Sequence, residues 1–221
     1  LTAGIDLSVG SILALTGAFA AAMVGADLPV IIAIPAALLA GAALGGVSGA
    51  IIAKGKVQAF IATLVTMTAL RGFTMVFTDG RPISTGFSET ADAFAVLGTG
   101  YWLGIPVPIW IMALVFALAW NLLNHTRLGR YIYALGGNEA ATRLSGINVD
   151  RVKIAVYTLC GALSALAGLI VTSRLSSAQP TAGMGYELDA IAAAVIGGPE
   201  RVHDGLSRLA EVTREIGRAH V

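Results

Sequence analysis

Charge is scarce in this chain: 14 basic and 13 acidic residues among 221, or 12%, against about 25% in an ordinary soluble domain. With 56% hydrophobic residues and a mean hydropathy of +0.80, this excludes a disordered chain and disfavours a soluble globular one. A single cysteine, Cys160, excludes an internal disulfide framework and a cysteine-based zinc site. A formal net charge of +1 leaves no basic footprint for nucleic acid. Only His125 lies outside the polar tail, so no metal site is expected. The nearest string to a phosphate-binding loop, Gly49 to Lys56, has the wrong spacing and continues with Val57. No Ser/His/Asp constellation is visible. Neither catalytic residues nor a cofactor are expected.

What the chain has in abundance is long apolar runs. A membrane helix needs about 20 mostly apolar residues. Five stretches qualify: Leu7–Ala26, Pro29–Ala53, Val57–Thr78, Ile105–Asn124 and Ile154–Ser173. Only the third carries a full charge, Arg71. A sixth stretch, Leu188–Gly198, is too short to span alone and reads as a half-helix, a re-entrant piece or an interrupted span. The runs are continuously apolar, unlike the alternating strands of a barrel. The expected fold is therefore all-α: a polytopic transmembrane helix bundle with broken or short helices, truncated at both ends. The first residue is Leu1, with no charged region ahead of the first run, which reads as a fragment and not as a signal peptide.

Orientation follows from the loops. Lys54, Lys56, Arg127, Arg130, Arg143, Arg151 and Lys153 fall in two of them. The intervening loop, 79–104, holds Arg81 against Asp79, Glu89 and Asp92. By the positive-inside rule, 54–56 and 125–153 face the cytoplasm, and 27–28, 79–104 and 174–186 face outward. Tyr101 and Trp102 suit an outer interfacial belt and Trp120 an inner one. Gly41, Gly45 and Gly49 form two overlapping GxxxG units, Gly17, Ala21 and Gly25 a similar one, and Ser164 and Gly168 another. Such spacing lets helix backbones pack closely in lipid. Pro35 predicts a kink.

Three polar stretches carry the candidate chemistry. In Gly4 to Ser11, GIDLSVGS, Asp6 and Ser8 stand where an apolar helix begins. They read either as a structural cap or as the mouth of a broken helix on a substrate path. In the basic loop 124–153, Gly136-Gly137-Asn138 reads as a turn and Glu139 to Leu144 as a short helix stopped by Ser145-Gly146. A helix of about two turns needs something to pack on, either the bundle or a cytoplasmic partner. In Ser173 to Gly198, Glu187 and Asp189 open an apolar run, again with an acid at a helix mouth.

The strings GIDLSVGS, GRPIS (80–84), LGIPVPIWIM (103–112), TRLGRYIYALGGNEAATRLSGINVDRVK (126–153) and SAQPTAGMGYELDAIAAAVIGG (177–198) together resemble the ribose-type permease subunits of bacterial ABC sugar importers. The resemblance is collinear over residues 1–198, the expected partial permease domain. It implies a multi-pass protein of the bacterial inner membrane that translocates a pentose, hexose or related sugar. It implies a second permease subunit, a cytoplasmic ABC ATPase that hydrolyses the ATP, and an extracytoplasmic sugar-binding protein. Gly137, Asn138, Glu139, Ala140, Ala141, Arg143, Ser145 and Gly146 match the ATPase-coupling region. That region is similar to the EAA loop of other importers, with Gly146 one position later than the pattern expects. Asp6, Ser8 and Asp189 are candidates for the translocation path, and Gly41, Gly45 and Gly49 for helix packing. The rivals are an ion-coupled secondary transporter, which would need buried mid-helix carboxylates, and a membrane-embedded enzyme. From Pro199 the sequence departs from the family, and its last seven residues, EIGRAHV, resemble a translated sequencing adapter. Residues 199–221 are expected to be a non-native tail, the alternative being an amphipathic helix bearing Leu206, Leu209, Val212 and Ile216.

Overall fold

The computed structural model describes residues 4–196; the expectations for the tail, 199–221, lie outside them. The chain divides into two units at Met184–Gly185. The first contains eight helices and four two-residue strands among its described residues: α1 (Val9–Gly25), α2 (Val30–Gly55), α3 (Ala59–Phe77), β1 (Ile83–Ser84), α4 (Glu89–Thr99), β2 (Tyr101–Trp102), β3 (Ile105–Pro106), α5 (Val107–His125), α6 (Arg127–Gly137), α7 (Glu139–Leu144), α8 (Val149–Leu175) and β4 (Ser177–Ala178). The second contains α9 (Tyr186–Ile196). The fold is all-α, with strands serving only to pair loops: Ile83 lies opposite Ala178, and Tyr101 opposite Pro106.

Among the described residues four helices, α2, α3, α5 and α8, are long and apolar enough to cross a membrane. The first expected span is shorter than its sequence run. α1 has 17 residues, about 26 Å at 1.5 Å per residue, against a hydrocarbon core of about 30 Å. Residues 4–8 are not helical. Twelve of the 17 residues of α1 are buried, so it is the central helix, wrapped by α2, α3 and α8. None of α5 is buried, which puts it at the periphery of this unit. α2 continues through Pro35. α8 starts five residues before the expected Ile154, because Asn148 caps it: the Asn148 side chain accepts from the Arg151 N–H at 3.0 Å.

Close packing follows from small residues every fourth position. On α2, Ala33, Ala37, Gly41, Gly45, Gly49 and Ala53 are all buried. On α8, Tyr157, Gly161, Ala165, Leu169 and Ser173 are buried at the same spacing. The two ridges meet. A methyl group on Gly41 would lie 2.5 Å from the Ala165 Cβ, and one on Gly49 would lie 2.9 Å from both the Ile154 Cα and the Tyr157 Cβ. A methyl on Gly45 would overlap the Tyr157 carbonyl oxygen. α1 approaches the next face of α8, where a methyl on Gly17 would lie 2.5 Å from Thr172 Oγ1 and 3.3 Å from the Gly168 carbonyl oxygen. In lipid, where apolar surface gains little by leaving its solvent, such backbone proximity supplies the packing energy. Gly25 meets the 84–85 backbone instead, so its place in the sequence pattern serves a loop and not a helix.

The 79–106 segment holds a helix and a hairpin. Within it, α4 is capped by Ser88, whose hydroxyl accepts from the Ala91 N–H at 3.3 Å. Ser173 of α8 reaches into α4: its buried hydroxyl donates to the Phe94 carbonyl at 2.7 Å and accepts from the Gly98 N–H at 2.8 Å. Those two groups would otherwise pair with each other in the helix ladder. The hairpin β2–β3 turns at Leu103 and Gly104, both left-handed (φ 53° and 76°), the backbone of a two-residue hairpin turn. It leaves Tyr101 and Trp102 exposed.

Candidate functional site

The loop between α5 and α8 is built from three consecutive caps. Thr126 accepts from the Gly129 N–H at 3.2 Å and starts α6. Asn138 accepts from the Ala141 N–H at 3.0 Å and starts α7. Asn148 starts α8 in the same way. Each oxygen satisfies one donor that a helix start leaves orphaned. The expected turn at Gly136-Gly137-Asn138 is narrower than it read: α6 runs to Gly137, and the break is the extended backbone of Asn138 alone (φ −158°). α6 itself was not legible, because two glycines at its end masked its apolar face. Ile132 and Leu135 on that face bury against Val149 and Val152 of α8.

α7 covers Glu139 to Leu144, the expected short helix. Ser145 closes it and Gly146 leaves it at φ 80°, a conformation that costs glycine little. Thr142 points inward, while Ala140, Ala141 and Leu144 face out. Leu144 is 89% exposed. The other side of α7 is tied to the first turns of α8. Lys153 Nζ donates to both Glu139 oxygens, at 2.9 and 2.8 Å. Arg143 bridges Glu139 at 3.4 Å and Asp150 at 3.2 Å. The Lys153 hydrogen bond is the main cause holding the Glu139 carboxyl below its usual range, with burial opposing it and Arg143 adding to it. Lys153 lies fourteen residues from Glu139, a pairing that only the α7–α8 turn creates.

The second polar region lies at the start of α1. Asp6 Oδ1 accepts from the Ser8 N–H at 2.9 Å and from the Ser8 hydroxyl at 2.6 Å. The roles therefore differ from two parallel caps: Asp6 receives, and Ser8 makes no capping bond of its own. Thr63 of α3 stitches the non-helical segment down. Its hydroxyl accepts from the Leu7 N–H at 3.1 Å and donates to carbonyls, that of Ala59 at 2.9 Å being the nearest. Irregular backbone at membrane depth requires such partners. Asp6 Oδ2 and the Tyr157 hydroxyl are both buried without a hydrogen-bond partner among the described residues. A cavity of about 220 Å³ lined by Gly4, Gln58, Tyr157, Glu139 and Lys153 lies between the two polar regions. Asp6 and Ser8 are thus joined by hydrogen bonds, while the cavity itself is reached by Gly4 of the same segment and by Glu139 of α7. Asp189 belongs to the second unit, where it sits in the first turn of α9 and its N–H donates to the Gly185 carbonyl at 3.2 Å.

Arg71, the one charge within the expected spans, donates to the carbonyls of Pro180 at 2.9 Å and Ala182 at 2.8 Å. It pins the segment after β4 to α3. Its lone charge in an apolar run was the visible signal; its partners were not.

A bundle of apolar spans, a buried central helix of 17 residues, and a short capped helix tied to α8 by ion pairs define a multi-pass membrane protein. The chain belongs to the family described as "Branched-chain amino acid transport system / permease component", whose profile matches residues 1–203. Among curated proteins it is 73% identical to the ribose import permease protein RbsC of Haemophilus influenzae over 198 residues, 90% of this chain and 61% of that protein. It is 57% identical to RbsC of Bacillus subtilis over 90% of this chain and 61% of that protein. It is 39% identical to the L-arabinose transport system permease protein AraH of Escherichia coli over 87% of this chain and 58% of that protein. The chain thus spans about three fifths of the length of these relatives. No solved structure matches it.

Proposed function

We propose that this chain is part of the membrane-spanning permease subunit of an ATP-driven importer of a small sugar, with ribose favoured over arabinose and allose. The observation that carries the reading is α7. It is a six-residue helix with an exposed apolar face of Ala140, Ala141 and Leu144, braced from behind by Lys153 and Arg143. A helix this short is marginal in water without packing, and its free face suits a protein partner. That partner is a cytoplasmic ABC ATPase, which makes the ATP chemistry external to this subunit. A second permease subunit completes the path, an extracytoplasmic binding protein delivers the sugar, and the assembly resides in the bacterial inner membrane. The choice of ribose rests on relatives whose names carry that sugar at 57% identity and above, against 39% for the arabinose permease.

Asp6, Ser8, Gln58 and Tyr157 are proposed to contribute to the path. Asp6 and Ser8 stand in the non-helical segment that precedes α1, and Gln58 and Tyr157 line the cavity that Gly4 of that segment also lines. An ion-coupled mechanism has no such support: no Asp or Glu stands in the middle of α2, α3, α5 or α8. The test uses the full-length permease with its ATPase and binding protein in proteoliposomes. Uptake of labelled ribose should require ATP and survive collapse of ion gradients, with arabinose and allose competing weakly. Ala141→Asp should abolish ATPase co-purification while the permease still inserts. Uptake driven by an ion gradient without ATP would refute the reading.

A further inference from the structure

α7 cannot transmit a push by itself. It has six residues, and glycines flank it: Gly137 before and Gly146, at φ 80°, after. A displacement arriving at its outer face would be absorbed by those joints unless something fixed its inner side. The fixing groups are on α8. The Lys153 ammonium grips both oxygens of Glu139 at 2.8 and 2.9 Å, and its side chain is only 21% exposed while that of Glu139 is 46% exposed. Arg143 ties the other end of α7 to Asp150, with 55% of its side chain exposed. The Lys153 contact is therefore the more sheltered of the two, and it is bidentate. A docked partner covering α7 would shelter it further and strengthen it.

We infer that Lys153 is the positioning residue that joins α7 to α8 as one moving part, so that displacement of α7 reaches the bundle through the Lys153–Glu139 pair and not through the 145–148 connection. The inference rests on the proposed ATPase docking of α7. It goes beyond that reading in saying which contact carries motion after docking has occurred. α8 is the receiving element because its Gly161 face is packed backbone to backbone against α2 and its Gly168 face against α1. At Gly161 all the nearest atoms are backbone atoms of Gly41 and Gly45, so no rotation of a side chain relieves that contact. Lys153 lies four residues before Tyr157, and both line the same cavity.

The experiment uses the full-length permease with ATPase and loaded binding protein in proteoliposomes, comparing parent, Lys153→Met, Glu139→Gln and the exchange Glu139→Lys with Lys153→Glu. The readout is sugar taken up per ATP hydrolysed, measured only where the ATPase co-purifies. A partly sheltered charged pair shifts a joined–unjoined equilibrium by roughly three- to tenfold. Each single variant should lose uptake per ATP by that factor with the ATPase still bound, and the exchange should recover at least half of the loss. A merely structural role would lower amount or stability and leave the ratio unmoved. An unchanged ratio in Lys153→Met, or an exchange no better than the singles, overturns the inference. Should Lys153→Met fail to assemble, Glu139→Gln decides, because it removes charge from an exposed side chain and keeps its shape. Failure of the parent permease to bind the ATPase at all would instead overturn the docking reading.

Discussion

Gly45 is the position where one added carbon has the least room to be accommodated. A Cβ there would overlap the Tyr157 carbonyl oxygen and stand 3.0 Å from both the Gly161 Cα and the Tyr157 carbonyl carbon. All three obstacles are backbone, so no rotamer change relieves them. Ordinary carbon contacts lie near 3.5–4.0 Å, so α2 and α8 must separate by about 1 Å along the whole ridge. Overpacking of this kind costs roughly 1–3 kcal/mol for one methyl, and the shift also loosens the Gly41 and Gly49 contacts. Gly45→Ala should therefore destabilise the full-length permease by about 2 kcal/mol, and Gly45→Leu should prevent a monodisperse bundle. Gly72 is the internal control. It lies in α3, and a Cβ there meets nothing within 4 Å, so Gly72→Ala should be neutral or stabilising by up to about 1 kcal/mol through helix propensity. Thermal denaturation in detergent, followed by size exclusion, compares the two. Equal behaviour of Gly45→Ala and Gly72→Ala would refute the backbone-packing account.

Ser173→Ala should cost about 1 kcal/mol, the net worth of a hydrogen bond between α8 and α4, because the Phe94 carbonyl and Gly98 N–H can then pair within α4; amide exchange across 94–99 should accelerate while that of α1 does not. The Glu139 carboxyl is held below the ordinary value of 4.5, chiefly by Lys153. A depressed folded value means the stabilisation is present in full above 4.5 and fades as pH falls through the folded value, so exchange protection of 141–145 should be constant at neutral pH and decline only in acid. Cysteine placed at Phe87 (102% exposed) or Leu144 (89% exposed), in a permease freed of native cysteine, tests orientation: an impermeant reagent added outside whole cells should label the first and spare the second.

Spans were legible because lipid demands continuous apolar runs, and the structure keeps α2, α3 and α5 within a few residues of them. α7 was legible for a different reason: a polar helix former run between Asn138 and Gly146 carries its own start and stop. α4 and α6 were not read, although Ser88 with Glu89 and Asp92 behind it is a helix-start signal. Their short lengths give no span, and Gly136-Gly137-Asn138 reads as a turn. The small-residue ridge of α2 was half visible in Gly41, Gly45 and Gly49; its partner on α8 includes Tyr157 and Leu169, which no small-residue pattern reveals. Pairings such as Lys153 with Glu139, Ser173 with α4, and Arg71 with the Pro180 and Ala182 carbonyls depend on which elements the fold makes neighbours.

The ridge on α8 has a mechanical consequence. α8 has 27 residues, about 40 Å at 1.5 Å per residue. Its first turns hold α7 through Lys153 and Asp150, and its last turn holds α4 through Ser173. Between them it is gripped at several levels, by α2 from Gly49 to Gly41 and by α1 at Gly17. A rod held at many points along its length has no free pivot. A displacement entering at its α7 end would have to carry α1 and α2 with it, so the three helices would travel as one block.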